Sequence, residues 1–392
     1  MMDASFFIAG RLRFKGKIAM VCIAVSFLVM IIAVSVSSGY RQEIRSSISS
    51  ISGDVMILRP DQNIFNEDAP IEASPAYLPF LQDVPGVSEV IPSVYRSGIV
   101  RHDGNMYGIV LKGLPDGVVR ADSVALGVSI PSRLAEKTGL KEGDRMLTYF
   151  VGEKTKVRQF TVASVYEALA ETDDRHLVYA SNADLQRLNG WNEGQVSAIE
   201  IVLDRNSTSE EDIRRATEEA GMIIYAFSDE DEESVIAVSS VSKYPQLFSW
   251  LDLIDFNVFF ILLLMTVVAG FNMISGLLIM LFEHVSTIGL LKSLGMSDRS
   301  IAKVFLSVSA SVVAKGLLIG NALALLFCVI QDTTHLIRLD PVNYYVSYVP
   351  VNVDPGYLLT VDLVSFLAIM VLLLIPCLFI SRVDPADTMR VK

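Results

Sequence analysis

"GFNMISGLLIMLFEHVSTIGLLKSLGMSDRSIAKVFL", residues 270–306, decides how this chain is read. Its ends are apolar, while its middle carries Glu283, Lys292, Asp298, Arg299 and Lys303. A chain that leaves apolar surroundings for one short polar helix and returns at once has the pattern of two membrane spans joined by a tight loop. Working outward, four runs hold almost no charge: 18–39, 254–282, 304–330 and 357–380. At 1.5 Å rise per residue, each is long enough as a helix to cross the ~30 Å hydrocarbon core. The 392 residues are 52% hydrophobic, with a mean hydropathy of +0.46, and it is this clustering that sets the chain apart from a soluble domain.

Charge gives the orientation. Arg11, Arg13, Lys15 and Lys17 precede the first run, Lys292, Arg299 and Lys303 occupy the tight loop, and Arg382, Arg390 and Lys392 end the chain. The positive-inside rule places both termini and the 283–303 loop in the cytoplasm, with 40–250 and 331–356 outside. The first run exceeds the 7–15 residues of a signal-peptide core, so it is read as an uncleaved anchor. The expected organisation is a cytoplasmic amphipathic segment 1–17, a span 18–39, an outer domain 40–250 and a span 254–282. A cytoplasmic loop 283–300, a span 301–330, an outer loop 331–356, a span 357–380 and a cytoplasmic tail 381–392 follow.

Residues 40–250 hold 33 Asp and Glu against 20 Lys and Arg, a net of −13 in a chain whose total is −12. An acidic domain of this kind is unsuited to nucleic acid or to anionic lipid headgroups. Cys22, Cys328 and Cys377 all lie in apolar runs, so the outer domain has no disulfide framework.

The outer domain alternates strand and helix signals. "DVMILR" (54–59) is β-rich, and residues 87–114 read as a hairpin turning at Asp103-Gly104. A short helix should stop at Gly139, strands follow at 145–151 and 157–166, and "HLVYASNADLQRLNG" couples a strand to a helix capped at Ser181 or Asn182. "VSAIEIVLD" predicts a strand, the Ser207…Glu210 capping box a helix, and "MIIYAF" (222–227) a strand again. From 232 the pattern becomes helical and runs into the second span. The predicted fold is a membrane protein of four transmembrane α-helices. A large α+β extracytoplasmic domain stands between the first and second spans, as one lobe split by a β-rich insert at about 105–190.

No phosphate-binding GxxxxGK[ST] loop, GxSxG elbow or HExxH occurs, and the four histidines are scattered. The chain therefore shows no catalytic or metal-binding grouping of its own. Lys315 stands in the middle of the third apolar run, where a charge costs about 2.5–3.5 kcal/mol unless it faces protein or water. Asp362 and Asn272 are its candidate partners. Gly316 and Gly320 form a small-xxx-small pair for close helix packing, and Gly276 does the same in the second span.

Several of these stretches together resemble a known family. "FFIAGRLRFKGK…VSVSSGYRQEIRSSISSISGDVMIL", the quoted 270–306 region, "LDPVNYYVSYVPV" (339–351) and "VDPADTMR" (383–390) resemble the lipoprotein-releasing permeases of the type VII ABC superfamily. That superfamily also contains macrolide-exporter and cell-division types. The resemblance implies a periplasmic domain with a porter-like lobe split by the β-rich one, in the inner membrane of a Gram-negative bacterium. It implies that the chain is a permease subunit, not an enzyme. ATP and Mg would be bound by a separate ABC ATPase dimer, alongside a second permease copy or paralogue.

The resemblance further implies that a coupling helix with Glu283, Thr287, Ile288, Leu291, Lys292, Leu294 and Gly295 docks on the ATPase. Spacing puts Val285, Ile288, Leu291 and Leu294 on one helix face, read here as the docking face. A hairpin at Gly152, Glu153, Lys154 and Thr155 would engage a periplasmic lipoprotein carrier. Val25, Val29, Phe256 and Phe260 would contact the acyl chains of the lipoprotein. The sequence departs from the family's pattern in four places: Thr287 replaces its acid, His284 a Lys or Arg, and Lys315 its Gln, and the stretch 150–160 lacks its prolines. Two other readings fit the same features: an efflux or cell-envelope permease of the same fold, and a non-transporting signalling partner of a cell-wall hydrolase.

Overall fold

The computed structural model describes residues 17–60, 70–102, 104–115, 126–151, 155–166, 176–204, 209–229, 232–340, 344 and 346–377. They divide into a helical unit (Met1–Tyr40, Leu251–Ile337 and Val349–Lys392) and an outer unit (Arg41–Trp250 and Arg338–Tyr348).

Four helices are long and apolar enough to cross a membrane: Lys17–Ser52, Pro245–Glu283, Asp298–Thr334 and Pro355–Cys377. The first two have 36 and 39 residues, well beyond the ~20 that a hydrocarbon core requires. The bundle core is built from Ile23, Phe27 and Met30 of the first helix, Met273 and Leu277 of the second, Phe305 and Val313 of the third, and Ile369 of the fourth. The third helix meets the first through glycine. A methyl group added at Gly316 would lie 2.6 Å from Ile23 Cγ2, and one at Gly320 would lie 2.5 Å from the Ala24 carbonyl oxygen. Only residues without a Cβ permit that approach.

The polar residues of the spans pair differently from the expectation. Asp362 accepts a hydrogen bond from Asn321 Nδ2 at 2.5 Å, and Lys315 is exposed. Asn321 lies six residues, under two turns, beyond Lys315, which sequence spacing alone could not rank as the nearer partner.

The outer unit is mostly sheet. Its strands are β1 (Val55–Leu58), β2 (Ile71–Glu72), β3 (Val87–His102), β4 (Asn105–Leu114), β5 (Gly127–Pro131), β6 (Arg145–Phe150), β7 (Lys156–Tyr166), β8 (His176–Ser181), β9 (Gln195–Val196), β10 (Ala198–Leu203) and β11 (Ile236–Ser239). Nine of them run in the order β11-β1-β10-β3-β4-β8-β5-β7-β6, and β3 also pairs with β6. The second half of β3 therefore closes a six-stranded barrel with β4, β8, β5, β7 and β6, while its first half pairs with β10 in an open sheet. One 16-residue strand thus belongs to both lobes. Phe150 and Phe160 meet edge-on in the barrel interior, and Arg96 lies over the Phe150 ring. Met56, Leu58, Tyr95, Val110 and Ala198 form a second apolar cluster.

Two sequence expectations fail here. "MIIYAF" is the end of one helix, Glu210–Phe227, in which Ala216, Ala220 and Ile224 are buried at four-residue spacing while Tyr225 is exposed. The helical period wins over the β-rich composition of that short run. The strand that completes the open sheet is instead β11, antiparallel to β1, inside a stretch read as helical. The capping box is Ser209 with Asp212, and Ser207 lies outside the described residues.

The first helix ends at Gly53, whose φ of +67° suits glycine and whose N–H donates to the Ser49 carbonyl at 2.8 Å. Asp54 then accepts from Arg45 Nε at 3.2 Å, from Ser49 Oγ at 3.1 Å and from the Leu203 N–H at 2.9 Å. This buried carboxylate ties the end of the helix to β10, an inner strand of the open sheet.

Lys243, just before the second spanning helix, lies against Met56 Sδ at 3.4 Å and the Tyr244 ring. Burial pulls its ammonium down from 10.5 to about 8, with Glu200 opposing and Lys112 reinforcing the shift. Between pH 8 and 10.5 the unfolded chain holds a proton that the folded one has shed, so stability rises with pH across that window. The buried phenols of Tyr95, Tyr179 and Tyr244, raised above 10, act oppositely at higher pH. Thermal unfolding of the full chain in detergent should show the rise from pH 8 towards 10. Lys243→Met should abolish it and add about 1–3 kcal/mol of stability at pH 7.

Candidate coupling loop and helix-end contacts

The loop between the second and third spanning helices is a helix, Val285–Ser293, between His284 and Leu294. Gly295 follows at φ +86°, and the Met296 N–H returns to the Leu291 carbonyl at 3.0 Å. Ser297 then caps the third spanning helix, its Oγ accepting from the Ser300 N–H. Lys292 forms an ion pair with Asp298 at 3.0 Å across the turn, so its charge serves the loop itself.

The phase of this helix corrects the predicted face. Ile288 is 1% exposed and belongs to the bundle core, and Leu291 packs against that core. Val285 is half-buried. The outward face carries Glu283, Thr287, Leu290 and Leu294, at spacings of four, three and four, with Leu290 55% and Leu294 76% exposed. Leu290 lies on this outward face, which counting helical turns onward from Glu283 reaches directly.

At the opposite ends of the spanning helices, a set of polar contacts not anticipated from sequence joins chain segments far apart. The Asn352 N–H donates to the Ser35 carbonyl at 2.9 Å, and its Nδ2 to Ser38 Oγ at 3.1 Å. Ser37 Oγ donates to Asp255 Oδ1 at 2.6 Å. Gln331 Nε2 donates to the Val349 carbonyl at 3.1 Å, while its Oε1 accepts from the Ile337 N–H at 3.0 Å. Single polar residues at the edges of apolar runs were the available signal. Their partners lie too far away in sequence to be paired by pattern.

The remaining candidates are placed as follows. Phe256 and Phe260 are exposed on the second spanning helix, with ring centroids 4.8 Å apart, and Val25 is exposed on the first, whereas Val29 is half-buried. Gly276 is half-buried. Gly152, Glu153 and Lys154 lie outside the described residues, and Thr155 is exposed beside the antiparallel β6–β7 pair. Among the described residues there is no grouping of His, Cys, Asp and Glu fit to hold a metal ion.

Residues 18–220 match the MacB-like periplasmic core domain, over half of the chain, and residues 259–385 match the FtsX-like permease C-terminal family. The chain belongs to the MacB/FtsX-like permease family. As a member of that family it is a membrane permease of the ABC-transporter class. It is similar to the lipoprotein-releasing system transmembrane protein LolC of Neisseria meningitidis, 21% identical over 97% of this chain and 95% of the relative. The LolC protein of Xylella fastidiosa is 20% identical over the same shares. Among solved structures, the extracellular domain of the ABC-type transporter YknZ is 17% identical, covering 47% of this chain and 98% of that one, with a TM-score of 0.29. The periplasmic region of MacB from Actinobacillus actinomycetemcomitans is 12% identical over 50% and 93%, with a TM-score of 0.30.

Proposed function

We propose that this permease extracts lipoproteins from the inner membrane of a Gram-negative bacterium and releases them towards a periplasmic carrier, driven by a separate ATPase. The observation that carries the reading is similarity along nearly the whole chain to proteins named for lipoprotein release. ATP and Mg are bound by the partner ATPase dimer, which pushes on the loop helix through Glu283, Thr287, Leu290 and Leu294. The long first and second helices pass that movement to the outer unit.

A second permease completes the assembly, and the lipoprotein's acyl chains enter from the bilayer against the exposed apolar side chains Val25, Phe256 and Phe260. Their burial is worth roughly 0.8 kcal/mol per methylene wherever they leave water, so an apolar path must be continuous. The β6–β7 hairpin, through Gly152 to Thr155, is the carrier contact.

The test is reconstitution of the permease and ATPase in proteoliposomes containing a triacylated lipoprotein. ATP-dependent appearance of lipoprotein in the soluble fraction with carrier is expected. ATP turnover without release would instead favour an efflux or signalling role.

A further inference from the structure

The strongest unexplained feature of the outer unit is a cluster of buried charge at the end of the first spanning helix. Lys112 on β4 and Glu200 on β10 form an ion pair of 2.7 Å, with side chains 3% and 0% exposed. Burying such a pair gains little net stability, since desolvation offsets the attraction. Its arrangement shows what else it does. Lys112 Nζ also donates to the Ser50 carbonyl at 2.7 Å, and the Tyr95 hydroxyl shares its single proton between the Ile51 carbonyl, at 2.8 Å, and Glu200 Oε1.

Ser50 and Ile51 belong to the last turn of the helix Lys17–Ser52, where carbonyls lack intrahelical partners and the helix dipole is negative. A buried ammonium and a phenol, both held by one carboxylate, therefore cap that end. Gly53 lets the chain press on Glu200: an added methyl group would lie 3.0 Å from Glu200 Cβ. The two capping residues, Tyr95 on β3 and Lys112 on β4, and the Glu200 on β10 that holds them, fix the helix end to the strands at the junction between open sheet and barrel.

We infer that Glu200, Lys112 and Tyr95 form a rigid joint that transmits displacement of the first helix to the sheet and barrel of the outer domain. They are positioning residues, acting through the carbonyls of Ser50 and Ile51. The inference rests on the proposed transport reading for its purpose, but the joint itself can be tested apart from any substrate.

The variant is Lys112→Met with Glu200→Met, which removes both charges together and leaves no unpaired ion in the core. The permease–ATPase complex should assemble and hydrolyse ATP at its usual basal rate. ATP consumed per lipoprotein released should rise about 10-fold or more. A folded double variant with an unchanged ratio would overturn the inference. If the double variant does not fold, Tyr95→Phe decides, since it deletes one hydroxyl: a ratio raised severalfold supports the joint, and an unchanged ratio overturns it.

A substrate-independent reading uses spin labels at Ser46→Cys and Arg145→Cys, with Cys22, Cys328 and Cys377 changed to Ala. In the intact joint the distance distribution between them should be narrow with and without ATP. In the variant it should broaden, and a distribution that stays narrow would sink the joint. Wild-type protein that shows the narrow distribution but releases no lipoprotein would count against the transport reading alone.

Discussion

Changing Leu290 and Leu294 together to Asp is expected to detach the ATPase from the permease. Both leucines are exposed on the loop helix, beside a core that already holds Ile288. Burying a leucine fully at an interface is worth about 1.5–3 kcal/mol, and a carboxylate in its place must also be desolvated. Two such losses on one small face amount to at least a 100-fold weakening. Copurification of the ATPase from detergent-solubilised membranes measures it, with protein level and melting temperature of the permease unchanged.

Ile288→Ala is the contrasting variant. It opens a cavity in the bundle and should cost about 2–5 kcal/mol of stability, while the folded fraction keeps its ATPase. Lys292→Glu should disturb the turn, because Lys292 is paired with Asp298. Recovery of ATPase at the wild-type ratio with the double Asp variant would remove the outward leucines from the docking face.

That test depends on a face the sequence alone set wrongly, and the reason is instructive. Val285, Ile288, Leu291 and Leu294 have helical spacing, and an apolar stripe on a loop helix reads equally as a docking face or a core face. The bundle claims Ile288 and Leu291, because the second and third spanning helices enter the loop from the same side and must cover it. The apolar runs themselves were legible, since length and absence of charge suffice to mark a span. So was the β3–β4 hairpin: His102 pairs with Asn105, and Gly104 has a φ of +83°, as the Asp-Gly dipeptide predicts.

Local signals failed where a long-range partner decides. β11 is a short strand that β1 offers an edge to pair with. The same holds for the buried ion pair: Lys112 and Glu200 are 88 residues apart, and nothing near either marks it as buried. Gln331, Asp255 and Asn352 likewise acquire partners only once the helices are assembled.

Gly320→Ala is expected to separate the first and third spanning helices, and to be worse than Gly316→Ala. At Gly316 the added methyl group meets the side chain of Ile23, with Cγ2 at 2.6 Å and Cβ at 2.9 Å. At Gly320 it meets backbone, the Ala24 carbonyl oxygen at 2.5 Å, with Phe27 Cβ at 2.9 Å. A side chain can be shortened to make room, whereas a backbone carbonyl cannot turn away without breaking its own helix. Overpacking of this kind costs about 1–3 kcal/mol where neighbours can shift, and more where they cannot. Ile23→Ala should therefore recover part of the loss caused by Gly316→Ala and none of the loss caused by Gly320→Ala. Thermal unfolding in detergent of the five variants, three single and two double, reads this as a coupling energy at position 316 and none at 320. Equal rescue at both glycines would mean that the first helix slides as a body, and that its backbone does not set the distance between the two helices.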